Sequence, residues 1–66
     1  MDIFIERENK TIKYELKKSQ KIIEILKELN ITLESVILIK NDEIALEDEI
    51  VKNTDKLKLL SVVSGG

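Results

Sequence analysis

Residues 2–8 alternate: Ile3 and Ile5 fall on one side of an extended chain, Phe4 and Glu6 on the other. A polar break at Glu8, Asn9 and Lys10 follows. Residues 11–17 then alternate again, with Ile12, Tyr14 and Leu16 opposed to Lys13, Glu15 and Lys17. Two period-two runs about a short polar break predict an antiparallel hairpin. From Ser19 the period changes. Ile22, Ile23, Leu26 and Leu29 recur at helical spacing, with Ile25 flanking the stripe. That spacing predicts an amphipathic helix of about three turns. Ser19 is the expected N-cap and Asn30 the expected stop, and Lys27 suits the negative end of the helix dipole.

Residues 35–40 form an apolar, β-branched run that predicts a buried strand, and Asn41 and Asp42 form a tight turn after it. Residues 43–46 can return as a short strand. Residues 47–52 are mixed and predict no element. Asn53, Thr54 and Asp55 signal a turn, and residues 56–63 a last strand, with Leu57 and Leu59 alternating with Lys58 and Leu60. The run of residues 36–39 is apolar on both faces, so either Ile37 with Ile39 or Val36 with Leu38 faces out; Lys40 shares its face with Val36 and Leu38, which favours Ile37 and Ile39 as the core pair. The order is β-β-α-β-β-β. One helix must cover one face of a mixed sheet of four to five strands, with the last strand parallel to the first after a long crossover. This is an α+β, β-grasp arrangement. If Leu57 and Leu59 face the helix, then Lys58, Leu60 and Val62 face out. Phe4 opposes Ile3 and Ile5, so it faces out as well. Phe4, Leu60 and Val62 then share an exposed face with Lys58, a candidate docking patch. Val63 finishes the strand and leads into the tail.

Composition narrows the chemistry. The 66 residues make one small domain, without cysteine or histidine. Disulfides, thiolate or imidazole metal sites and the commonest acid–base catalyst are therefore excluded. The formal charge of −2 lacks the basic excess of a nucleic-acid binder, and Phe4 and Tyr14 alone make no stacking platform. Charged residues make up 36% of the chain with both signs interspersed, which describes a well-solvated surface. No apolar run approaches a membrane span, and the N-terminal segment is no signal peptide. The expectation is a cytoplasmic protein with no cofactor, metal, nucleic acid or membrane partner. Glu47, Asp48 and Glu49 lie beside Asp42 and Glu43; this acidic run is a solvated loop or steers a basic partner. It lacks calcium-loop spacing.

Gly65 and Gly66 are the only glycines in the chain. A diglycine end is slim enough to thread a narrow channel, and it leaves the Gly66 carboxylate unhindered. A frayed end is the plainer reading. The segment MDIFIERENKTIKYEL resembles the first hairpin of ubiquitin, and KLKLLSVVSGG resembles its last strand and tail. The length, the hairpin at IKNDEIA and the ending VVSGG are more similar still to the ubiquitin-like sulfur carriers of the ThiS and MoaD type and to small archaeal modifier proteins. Asp42 departs from the glycine usual in that turn, though aspartate tolerates the left-handed conformation.

The resemblance implies a body of residues 1–63 and a tail of residues 64–66, with Ser64 and Gly65 leading to the reacting Gly66. It implies that a partner enzyme adenylates the Gly66 carboxylate. A sulfur donor then converts it to a thiocarboxylate for thiamine, molybdopterin or tRNA thiolation. Alternatively, Gly66 is joined to target-protein lysines. A β-grasp binding module with an incidental tail is the third reading. In the first two the chain is a co-substrate and not an enzyme, and Phe4, Lys58, Leu60, Val62 and Val63 meet the partner.

Overall fold

In the computed structural model, which describes residues 1–62, the first hairpin joins β1 (Asp2–Ile5) to β2 (Lys10–Lys13) through a 3-10 turn (Glu6–Glu8). Asn9, at φ 49°, completes that turn in the left-handed region. The chain continues through β3 (Gln20–Lys21), α1 (Ile22–Glu28), a second 3-10 turn (Leu33–Ser35), β4 (Val36–Lys40), β5 (Glu43–Ile44), β6 (Ile50–Val51) and β7 (Lys56–Ser61). Five strands form a mixed sheet in the order β2-β1-β7-β4-β5, and β3 and β6 form a separate two-stranded ribbon. β7 runs parallel to β1 and antiparallel to β4, so the last strand sits at the centre of the sheet. This is the β-grasp arrangement. Of that ribbon, β6 lies in residues 47–52, where the sequence predicted no element, and β3 lies where it predicted the start of the helix.

The core is the alternate set of the sheet closed by the helix. Ile3 lies beside Leu57 and Ile5 beside Leu59. Ile3, Leu57 and Leu59 are fully buried against Ile22, Ile25 and Leu26 of α1. Each such side chain contributes about 1.5–3 kcal/mol by leaving water. Ile25, expected at the flank of the helical stripe, is at its centre, while Ile23 and Leu29 pack at its margins.

The helix is shorter than expected and Ser19 does not cap it. Gln20 and Lys21 are drawn into pairing with Val51 and Ile50. The helix therefore begins after Lys21, whose N–H donates to the Glu24 carboxylate at 2.9 Å. The next two amides donate to the opposite loop: Ile22 N–H to Glu49 O at 3.0 Å and Ile23 N–H to Glu47 O at 2.9 Å. These bonds satisfy donors that a helix start leaves unpaired. The predicted stop at Asn30 is present. Asn30 has φ 59° and donates its N–H to Lys27 O at 3.2 Å, while Ile31 donates to Leu26 O at 2.9 Å. That pair of bonds is a Schellman closure with asparagine in place of glycine.

The inward face of β4 is the reverse of that expected. Leu38 is buried and Ile37 is 43% exposed. Register explains it: Leu38 lies beside Leu59 and Ile37 beside Leu60. Lys40 does share the face of Leu38. It sits at the strand end, where its stem covers apolar surface and its ammonium pairs with Glu49 at 3.1 Å. Asn41 and Asp42 make the turn with φ 50° and 69°. Both central residues of the two-residue hairpin are left-handed, the pattern of a type I′ turn. The boundary expected between body and tail lies outside the described residues.

Candidate functional site

β7 carries the site because it is central and leads to the tail. Its inward residues, Leu57 and Leu59, are locked in the core. Lys58 and Leu60 therefore point from the outer face, with Val62 continuing on the same side. The neighbours follow from register. Phe4 of β1 lies beside Lys58, Ile39 of β4 beside Lys58 and Ile37 beside Leu60. Ile44 of β5 lies beside Ile39. The outer face thus has an apolar centre of Phe4, Leu60, Ile37, Ile39 and Ile44. Lys58 stands within it, its ammonium 3.5 Å from the Asp42 carboxylate. Phe4, Leu60 and Ile39 are half-buried by their neighbours. Ile37, Ile44 and Val62 are exposed, Ile44 at 79%.

The root of the tail is held from both sides. Strand β1 ends at Ile5, leaving Ser61 without a parallel neighbour. The Glu6 carboxylate fills that place, accepting the Ser61 N–H at 2.8 Å. On the opposite side the Val62 N–H donates to Ser35 O at 3.1 Å. Ser61 and Val62, the last two described residues, are thereby each anchored by a backbone N–H. A small cavity of about 130 Å³ lies at this root, lined in part by Arg7, Ser35 and Val62.

Of the residues singled out in the sequence, Phe4, Lys58, Leu60 and Val62 lie together on one face. Val63, Ser64, Gly65 and Gly66 lie outside the described residues. Sequence reasoning missed Glu6 and Ser35 as anchors of the tail root, for which no local signal exists. It also left out Ile44 and set Ile37 inside. The two-residue turn at Asn41 and Asp42 was a usable signal, since it fixes Ile39 opposite Ile44. Among the described residues no group of His, Cys, Asp or Glu is arranged to hold a metal ion. No described helix is long and apolar enough to cross a membrane.

Three comparisons bear on this arrangement. The family model described as the ThiS family matches residues 3–66. The sulfur carrier protein TtuB of Thermus thermophilus is 40% identical over 53 residues, which cover 79% of this chain and 80% of that protein. The NMR solution structure of a thiamine biosynthesis protein from Geobacter metallireducens matches with a TM-score of 0.59 at 21% identity. It covers 100% of this chain and 88% of that one. At that identity the likeness concerns the fold alone.

Proposed function

The chain belongs to the ThiS family, and from that premise we propose that it is a ubiquitin-like sulfur carrier activated at the carboxylate of Gly66. The observation that carries this reading is the family match, which runs to Gly66, together with the 40% identity to a sulfur carrier protein. The chain is then a carrier and co-substrate, and the catalytic groups belong to its partners.

The chemistry follows from the weakness of a carboxylate as an acyl donor. A carboxylate oxygen of Gly66 attacks the α-phosphorus of ATP on the activating enzyme, and pyrophosphate leaves. The resulting acyl-adenylate has an electrophilic carbonyl carbon and a good leaving group, AMP. The terminal sulfur of a donor persulfide attacks that carbon, AMP departs, and an acyl disulfide joins carrier and donor. A thiol on a partner then reduces the S–S bond and releases the thiocarboxylate, which passes its sulfur to an acceptor enzyme. Gly65 and Ser64 keep the approach narrow, and the absence of a Cβ at Gly66 leaves the attacked carbon open. Phe4, Lys58, Leu60 and Val62 form the surface on which the activating enzyme docks, with Val63 lying between that surface and the tail. The setting is cytoplasmic. Thiamine, molybdopterin or tRNA thiolation is the destination of the sulfur. The same adenylate intercepted by a lysine amine would give an isopeptide bond, so conjugation to proteins shares the first step.

Isotope exchange between pyrophosphate and ATP tests the reading, using the activating enzyme from the same source. Exchange should depend on this protein and disappear when Gly66 is deleted. Undiminished exchange with the shortened chain would refute activation at that residue.

A further inference from the structure

β4 outruns its partner at the far edge of the sheet. β5 pairs with it only at Ile39 and Lys40, and one further bond, Ala45 N–H to Leu38 O at 2.9 Å, closes the run. Among the described residues, the strand pairing of Val36 and Ile37 is with β7 alone. On the opposite edge the Val36 N–H is taken by Leu33 O, which leaves the Val36 carbonyl and the Leu38 N–H for a further strand, and such an open stretch of edge is a template for one. A groove of about 660 Å³ lies against that edge. Ile23 of α1 and Leu33 contribute to its lining, as do Ile37, Ile44 and Leu46. Ile44 and Leu46, 79% and 67% exposed, are the two most exposed large apolar side chains of the described chain. Leu46 has no part in the outer-face patch. Its exposure beside an open strand edge is a separate observation.

The rim carries a charge preference. Glu47 and Asp48 border the groove against the single cation Lys21. Both acids are exposed, and among the described residues neither enters an ion pair. Glu49 beside them is committed to Lys40. The geometry points to this groove as the docking site of an extended segment of a protein partner. That segment would alternate apolar side chains and carry a Lys or Arg where it meets Glu47 and Asp48. Backbone bonds to the open edge of β4 hold it, alternate side chains enter the groove, and the basic residue fixes its direction. The edge at residues 36–38 spans about 10 Å, so the segment is a short one. A second copy of this chain fits less well. Its own free edge strand, Lys10–Lys13, has a single apolar residue, half-buried Ile12. Edge-to-edge addition of that kind would also propagate without closing.

The test pans a random linear peptide library against the intact protein, with the Leu46→Glu variant panned in parallel. Enriched peptides are synthesised and titrated into isotope-labelled protein. Expected are sequences of alternating apolar residues with Lys or Arg at one end. They should shift the amides of residues 36–38 and 44–48, and lose about tenfold or more in affinity on Leu46→Glu and on the double change Glu47→Lys, Asp48→Lys. Both variants alter exposed positions, and their unbound spectra report whether the fold is kept. The proposal is overturned if no sequence family is enriched, if the binders act at Phe4 and Leu60, or if acid-flanked peptides bind equally well. Self-association shifting the same amides with protein concentration would also overturn it.

Discussion

At the scale of single residues, asparagine and aspartate do what glycine does in most small folds. Asn9, Asn30, Asn41 and Asp42 all take positive φ, and the two glycines of the chain stand at positions 65 and 66. Asn41 also ties its turn to the start of β7 by three bonds. Its N–H donates to Lys56 O at 2.9 Å, its Oδ1 accepts the Lys56 N–H at 2.9 Å, and its Nδ2 donates to Asp55 Oδ1 at 2.9 Å. Asn41→Ala should cost about 2 kcal/mol, from two lost side-chain bonds and a less tolerant left-handed position. Asn41→Gly should cost less, because it removes only the bonds; urea unfolding of the two variants checks the order.

Asp55 gives that junction a pH signature. The Asn41 side-chain amide, then the Lys52 N–H, hold its carboxyl below the ordinary value of 3.8. Asp2, bonded first by the Lys13 ammonium, and Glu49, bonded first by the Leu46 N–H, are lowered too. For a carboxyl lowered by folding, the unfolded state binds more protons in the acid range. The stabilisation is complete above the unfolded value and is lost as pH falls through the folded one. Stability should therefore drop below pH about 4, and the slope should be shallower in Asp55→Asn. Denaturant unfolding at a series of pH values measures both slopes, and equal slopes would remove Asp55 from the account.

Among the elements, the anchored end of β7 makes the sharpest claim. Glu6→Ala removes the acceptor of the Ser61 N–H and should raise the exchange rate of that amide about tenfold, leaving Leu57 and Leu59 protected. Glu6→Gln retains an acceptor oxygen and should restore most of the protection. Elements of strong period were legible from the sequence: the first hairpin, the helix stripe, and the alternation of Leu57 and Leu59 with Lys58 and Leu60. The helix start was not, because the carbonyls that receive its first amides come from Glu47 and Glu49, far along the chain. β3 and β6 are too short to show any period. β4 is apolar on both faces, so its parity cannot be read from alternation, and Lys40 misleads because it reaches Glu49 from the buried side. Asn53 reads as a turn residue. Its amide also pairs with Leu16, accepting the N–H at 2.8 Å and donating to the carbonyl at 2.8 Å. No local pattern announces a side chain that replaces a strand neighbour.

For the whole molecule, the five-stranded sheet presents an apolar outer face beside the end of β7. Phe4, Lys58, Leu60 and Val62 could be grouped from the sequence because two alternating strands had to lie side by side. Ile37 and Ile44 enlarge that face only once register is known. If the activating enzyme docks there, Leu60→Asp should raise its KM for this protein about tenfold. A reporter of folding such as the amide spectrum should stay unchanged. An unaltered KM would move the docking surface elsewhere.

The central claim is that the carboxylate of Gly66 is the group that receives sulfur. Intact-mass spectrometry reads this directly after the protein is incubated with ATP, a sulfur source, a thiol and the activating enzyme. The account predicts a gain equal to replacing one oxygen by sulfur, located on the fragment that ends in Gly66. An unchanged mass under conditions where the enzyme thiolates another carrier, or sulfur found elsewhere in the chain, would contradict it.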